Sequence, residues 1–198
     1  MSMNEAQIDF LCQALETELG GVQVYQTALH CAQNEDLEEE WKKYLEETRE
    51  HVQIYTELCR ALEIDPDTST PCRKIVRQNA QGLVHLMEMA LATKDPDAAQ
   101  IVAAECIVIA ETKCHLNWEL VGELGKNLKG HEGKLLEEAH AKVEDQEDEH
   151  LYHTVGWTRE LWIEHLEMPA VIPPPEEEKD VKTAIGAARA KKARKEML

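Results

Sequence analysis

The chain has 198 residues, and its 39 aspartates and glutamates outweigh 21 lysines and arginines to give a formal net charge of -18. Such a charge argues against a body that binds nucleic acid and fits either a soluble protein or one that handles cations. No apolar run approaches the ~18 residues of a membrane helix, and the N-terminus lacks a signal-peptide pattern, so we expect a cytoplasmic protein with no membrane span. Helix formers dominate over β-formers, which predicts an all-α domain.

The six cysteines are scattered along the chain and form no CxxC pair. This spacing argues against a rubredoxin-type iron site or a zinc knuckle. It favours reduced thiols packed in an apolar core.

The first half of the chain predicts two long helices. The first runs from about Asn4 to Gln33, and Asn34-Glu35-Asp36 supplies a break with a cap. The second runs from about Leu37 to Glu63 and stops before Asp65-Pro66-Asp67. A turn-rich linker, Thr68 to Pro71, follows.

The second half begins with a shorter amphipathic helix, from about Cys72 to Thr93. Asp95-Pro96-Asp97 then caps a third long helix that ends near Leu128, and Gly130 separates it from a fourth, from about Glu132 to Leu166. The short helix has the place of a crossover connection. The sequence therefore predicts a ferritin-like antiparallel four-helix bundle with an additional crossover helix between the second and third long helices.

The character of the chain changes after Met168, so we assign residues 1–168 to the bundle and 169–198 to a Pro-rich linker and a flexible tail. Pro173-Pro174-Pro175 is followed by an acidic run. From Val181 onward the chain has six basic residues and a single acidic one, Glu196. Nucleic acid is one partner for this tail, but docking on the acidic body or on a sister subunit is favoured.

Each long helix carries a 3-4-3-4 stripe that should face the bundle axis, and each stripe is interrupted near its middle by ionisable residues. A buried lone carboxylate is costly, so four interruptions at similar depth need a common cause. A pair of divalent metals supplies one, because carboxylates neutralise their charge and imidazoles complete their ligand sets. The predicted ligands are Glu18 in the first helix, Glu47 and His51 in the second, Glu111 in the third, and Glu147 and His150 in the fourth.

The spacing of these residues is regular in the fourth helix and less so in the second. Glu147 and His150 form a Glu-x-x-His step, which places both side chains on one helix face. A threonine stands three residues before His51, so the carboxylate there comes from Glu47, four residues before it. Alternatively, Glu47 pairs with Glu50 and His51 lies behind the ligands.

Weaker candidates flank this set. His115 lies one turn after Glu111 and is a second-tier ligand, with a hydrogen-bonded core histidine as the favoured interpretation. Tyr25 follows Glu18 by two turns and either bonds a ligand carboxylate or packs in the core. Glu16 lies off the stripe and is expected in solvent.

The stretch from Tyr44 to Val52, Tyr-Leu-Glu-Glu-Thr-Arg-Glu-His-Val, resembles rubrerythrin-type ferritin-like proteins. Its Leu-Glu-Glu-Thr portion, a crossover that contains Cys72 and Gly82-Leu83, and the phrase Asp97-Ala98-Ala99 are more similar to the bacterial stress-induced YciF-like family. The likeness spans residues 10 to 165. It implies a four-helix bundle with a two-metal centre, often dimeric, whose cellular role is poorly defined.

The resemblance also bears on individual positions. Glu18, Glu47, Glu111 and Glu147 match the places of the family's ligands. His115 stands where the family tends to have tyrosine, and the Glu-x-x-His step of the fourth helix is more like rubrerythrin than like the YciF-like proteins.

From the stripes and the resemblance we expect a protein with two iron ions per chain, or with manganese or mixed iron and manganese, that reacts with peroxide or oxygen in a stress response. This implies a non-haem peroxidase or ferroxidase, or a Mn catalase-like enzyme; no catalytic residue is assigned. We further expect a homo-oligomer, with a dimer favoured, and an external electron donor. Two alternatives stay open: a caged iron-storage or DNA-protecting oligomer, and a metal-free helical interaction protein with a polar core network.

Overall fold

A computed structural model describes residues 3–169, and all regular secondary structure in that range is helical. The predicted tail, from residue 170 onward, lies outside the described residues. Within them no helix is both long enough and apolar enough to cross a bilayer. The five helices are α1 (Glu5–Ala28), α2 (Glu35–Ala61), α3 (Pro71–Ala92), α4 (Pro96–Asn127) and α5 (His131–His165).

The helix starts are set by local side chains, as the sequence predicts. Asn4, Asn34, Thr70 and Asp95 each accept a hydrogen bond from the backbone N–H three residues further along, which satisfies an amide that has no partner within the helix. The fifth helix follows Gly130, whose φ of 97° is a conformation that glycine adopts at little cost.

The first helix ends at Ala28 rather than at the predicted Gln33. A tertiary contact holds the chain beyond this end. The side-chain oxygen of Gln100, on α4, accepts the backbone N–H groups of Gln33 and Asn34, each at 2.7 Å. These amides are therefore directed toward α4 and do not extend the helix.

The four long helices form a ring in the order α1, α2, α5, α4, and each packs against its two neighbours in that ring. Side-chain contacts run in opposite residue order across each seam, so neighbouring long helices are antiparallel. Helix α3 packs against α1 and α4. The predictions of an all-α bundle and of an extra helix between the second and third long helices are confirmed.

An ion-pair cluster holds α3 to α1. Glu16 Oε2 lies 2.7 Å from Arg73 Nε, and Glu16 Oε1 lies 2.6 Å from Arg77 Nε. Arg73 also donates to the backbone oxygens of Pro66 and Thr68. The expectation that Glu16 lies in solvent is wrong, because α3 covers it and supplies two guanidinium groups.

The core consists of two apolar clusters, one toward each end of the bundle. One contains Trp41 and Met87, and the other contains Trp118 and Leu136. Along every long helix, the residues of the two clusters are separated by buried polar residues. Among these are Glu18, His51, Glu111, Glu147 and His150, none of them more than 2% exposed.

Candidate metal centre

Two histidines face each other at the middle of the bundle. His51 from α2 and His150 from α5 are fully buried, with their rings stacked at a centroid distance of 5.6 Å. Each ring has a polar partner at Nε2: Glu47 Oε2 lies 2.9 Å from that of His150, and Gln146 Oε1 lies 2.9 Å from that of His51. Both Nδ1 atoms are thereby left for contacts within the buried layer.

Three carboxylates meet these Nδ1 atoms. His51 Nδ1 lies 2.9 Å from Glu147 Oε1 and 3.8 Å from Glu18 Oε2. His150 Nδ1 lies 3.6 Å from Glu111 Oε2. The 2.9 Å contact is not aligned as a hydrogen bond, and the other two are longer than one.

The centre therefore gathers buried polar atoms that have no hydrogen-bond partner among residues 3–169. They are Glu18 Oε2, His51 Nδ1, Glu111 Oε2, Glu147 Oε2 and His150 Nδ1. Buried polar atoms are almost always paired, so such a concentration needs a cause. His51, Glu147 and His150 each present a ligand atom within 4.8 Å of the others. Carboxylate oxygens and imidazole nitrogens that lie close without bonding one another fit a bound cation.

The electrostatics agree with this. Burial, together with the charge of Glu147, raises the pKa of Glu18 to about 8. Burial and the charge of Glu111 likewise raise the pKa of Glu147 well above its usual range. Burial alone would lower the pKa of His150, but its contacts with Glu111 and Glu47 outweigh burial and raise it to about 10. Without a cation the cluster retains protons to limit its charge.

Trp118 orients one of the carboxylates. Its indole Nε1 donates to Glu18 Oε1 at 2.9 Å, which leaves Glu18 Oε2 as the oxygen nearer His51. Trp118 was not predicted to be part of the site. A tryptophan on the same helix stripe as the predicted ligand Glu111 was the available signal.

Glu47, a predicted ligand, lies behind His150. Its Oε2 contacts His150 Nε2, while its Oε1 accepts from Gln146 Nε2 at 3.3 Å and lies 3.6 Å from Lys43 Nζ. Both oxygens are thus engaged. Glu50, the alternative partner on this helix, is exposed. Thr48, which lies between Glu47 and Glu50 in sequence, is the residue buried at this position of α2.

The second-tier candidate His115 also lies outside the centre. It is half-buried, and its Nε2 lies 2.8 Å from Asp148 Oδ1. The stripe of α4 passes instead through Cys114, which is buried one turn after Glu111. Burial and the charges of the three centre carboxylates raise the pKa of the Cys114 thiol, which keeps it protonated.

A second polar cluster beside the centre was not predicted. Tyr44, whose ring lies 4.2 Å from that of His150, donates to Glu40 Oε1 at 3.0 Å and lies 3.0 Å from His153 Nδ1. Trp157 Nε1 donates to Glu40 at 3.1 Å. The spacing of four residues from Glu40 to Tyr44 was the available signal, since it places both side chains on one helix face.

Comparisons of the chain with protein-family models, with curated proteins and with solved structures return no match in any of the three. The function is therefore inferred from the centre itself.

Proposed function

We propose that this chain is a ferritin-like protein that binds two metal ions at the centre, iron by preference, and that reacts with peroxide or oxygen. The five unpaired ligand atoms at the meeting point of four helices carry this proposal. Three carboxylates and two imidazoles are a donor set suited to Fe(II) or Mn(II). The charge of three carboxylates is offset by two divalent ions and is costly without them. The residues that would hold the ions are Glu18, His51, Glu111, Glu147 and His150.

The connectivity of the bundle supports the ferritin-like part of the proposal. Helices α2 and α4 are each antiparallel to α1, so they run in the same direction. A chain that joins two parallel long helices must return along the bundle, and α3 packs along α1 on that return path. One long crossover connection between the second and third long helices is typical of ferritin-like bundles.

Bound iron would supply the redox chemistry toward peroxide or oxygen. The chain's own residues provide the setting. Glu47 and Gln146 hold the two imidazoles, Trp118 holds Glu18, and the apolar clusters on both sides limit the access of water. Because the chain has no CxxC pair, the electrons that restore the reduced state would come from an external donor.

Elemental analysis of protein purified without chelators, together with an anaerobic Fe(II) titration, tests the proposal. We expect two metal equivalents per chain and a new near-ultraviolet absorption when peroxide or oxygen is added to the iron-loaded protein. If the protein binds no metal, the proposed metal site is wrong. If it binds two ions and does not react with either oxidant, the redox part is wrong.

One observation favours a second candidate, a metal-free helical interaction protein. His150 lies between Glu47 and Glu111, and a positive imidazolium there would balance part of the carboxylate charge. Such a protein would take up none of Fe(II), Mn(II), Co(II) or Zn(II), and its melting temperature would not change when they are added. A rise in melting temperature with any of them would exclude this candidate.

We also propose a dimer. Its mass in solution distinguishes it from a caged iron-storage or DNA-protecting oligomer, which would be a dodecamer or a larger assembly. Size-exclusion chromatography with light scattering measures that mass directly.

A further inference from the structure

We infer that one carboxylate, that of Glu47, sets which nitrogen of each centre histidine faces the metals, and that it does so unequally. It acts directly on His150 and, through the amide of Gln146, on His51. The two metal positions should therefore differ in affinity. This inference rests on the proposed metal binding and assigns Glu47 the role of a positioning residue, not a ligand.

The direct contact fixes the first ring. An ionised carboxylate only accepts hydrogen bonds, so the 2.9 Å contact between Glu47 Oε2 and His150 requires the proton to be on Nε2. In the neutral, metal-binding form of the ring, the lone pair is then on Nδ1. That atom is the buried and unpaired one.

The second ring is fixed by a relay. Gln146 presents its amide nitrogen to Glu47 Oε1 at 3.3 Å and its oxygen to His51 Nε2 at 2.9 Å. The reverse orientation of the amide would place two acceptors against each other, so the carboxylate determines the orientation. The amide oxygen in turn accepts only, which places the proton of His51 on Nε2 and its lone pair on Nδ1.

The arrangement is reciprocal between two helices. Glu47 precedes His51 by four residues on α2, and Gln146 precedes His150 by four residues on α5. Helices α2 and α5 are antiparallel neighbours, and each supplies one imidazole to the centre. Each also supplies the residue that contacts Nε2 of the imidazole from the other helix. A packing role alone would not require the two partners to be joined by a hydrogen bond of their own.

The two partners differ in charge. A carboxylate on the outer nitrogen strengthens the inner nitrogen as a metal donor, whereas a neutral amide orients the ring with less effect on its donor strength. The position that includes His150 should therefore bind a divalent ion more tightly than the position that includes His51. The centre should fill in two steps.

Anaerobic titration with Co(II), followed by its visible absorption, tests this inference. The variants are Glu47→Gln, which removes the charge and keeps the shape, and Gln146→Met, which removes the relay alone. We expect two binding steps in the unaltered protein. Gln146→Met should weaken one step by about tenfold, and Glu47→Gln should weaken both by about 10- to 100-fold. The controls are Glu50→Gln and Gln53→Met, at exposed positions of α2.

Proton NMR of the Co(II) protein gives a second readout that a purely structural role would not change. The unaltered protein should show two shifted imidazole N–H signals that exchange with solvent. Gln146→Met should accelerate the exchange of one of them, and Glu47→Gln should accelerate both. Circular dichroism confirms that each variant is folded, and if Glu47→Gln does not fold, Gln146→Met decides alone.

The outcomes separate the inference from the proposed function. If the unaltered protein binds no metal, both fail. If it binds two ions and Gln146→Met changes neither step nor either N–H signal, the relay is wrong while the metal site stands. If Glu47→Gln abolishes one equivalent outright and leaves the other unchanged, Glu47 is a ligand and the inference is overturned.

Discussion

At the scale of single residues, Glu111 and Glu147 are carboxylates that solvent hardly reaches, with 1% and 2% of their surface exposed. Within residues 3–169 neither forms an ion pair with a lysine or arginine, and the positive group that contacts each of them there is an imidazole. An isolated buried carboxylate is usually protonated and therefore neutral. An apolar residue of similar volume could take its place without loss of stability. Their presence is best explained by a positive ligand.

The variants Glu111→Ala and Glu147→Ala should therefore each lose at least one metal equivalent. Each removes one of the three carboxylates that we propose to hold the ions. Metal analysis after Fe(II) loading and desalting measures the loss, and Glu119→Ala, at an exposed position of α4, is the matched control. Retention of two ions by both variants would refute the proposed site.

At the scale of the helices, α3 depends on a close approach to α1. A Cβ added at Gly20 would lie 2.5 Å from Ala80 Cβ, closer than any two such atoms pack. Both atoms belong to short side chains on helix backbones, so the contact can be relieved only if the helices move apart. The ion pairs between Glu16 and the arginines of α3 also depend on the present distance between α1 and α3.

Gly20→Ala should lower the free energy of unfolding by about 1–3 kcal/mol, because it overpacks this contact. Gly82→Ala is the matched control, since nothing lies within 4 Å of its Cβ position on the same pair of helices. That change should stabilise by about 0.5–1 kcal/mol through helix propensity. Urea denaturation measures both, and an equal effect of the two substitutions would show that α3 does not pack as described.

Glu16→Ala should destabilise by about 3–5 kcal/mol, because it leaves the Arg73 guanidinium buried without its counter-ion. Glu46→Ala provides the contrast: it removes the exposed pair with Arg49 and should change stability by less than about 1 kcal/mol. Chemical denaturation of both variants gives the comparison. Similar losses for the two would mean that the Glu16 cluster is solvated after all.

At the scale of the whole molecule, the polar layer joins all four long helices between two apolar clusters. Its protonation therefore affects the stability of the whole bundle. Glu18 and His150 have pKa values raised to about 8 and about 10 in the folded chain. Their stabilising effect is complete below their unfolded values, near 4.5 and 6.5, and is lost as pH rises toward the folded values.

The metal-free protein should therefore become less stable between pH 5 and pH 8.5, by a few kcal/mol in total. The carboxylates with lowered pKa values, such as Glu16 and Glu40, lose their contribution only at more acidic pH. Denaturant unfolding with a chelator present measures the trend, and Glu18→Gln should flatten it. Metal affinity should show the opposite slope, because the ligands must lose protons to bind. Stability of the metal-free protein that rises with pH would contradict the prediction.

The sequence by itself determined the helices and most of the centre. Caps and prolines are local signals, so the breaks at Asn34, Asp95 and Gly130 could be predicted. A polar residue in the middle of an apolar stripe is visible without a structure. For that reason Glu18, Glu111, Glu147 and His150 could be predicted from the stripes, while the choice between His51 and Glu50 stayed open, and the structure brings His51 together with the other four.

Only the tertiary structure decided what depends on the neighbouring helix. Adjacent residues on a helix point about 100° apart, so stripes that differ by one residue look equally good in sequence. The choices between Glu47 and Thr48, and between Cys114 and His115, depend on how α2 and α4 are rotated against their partners. The same holds for Gln146. Its role arises from its contact with His51, a residue 95 positions away in sequence on a neighbouring helix. Periodicity fixes which residues share a face, and packing fixes the direction in which that face points.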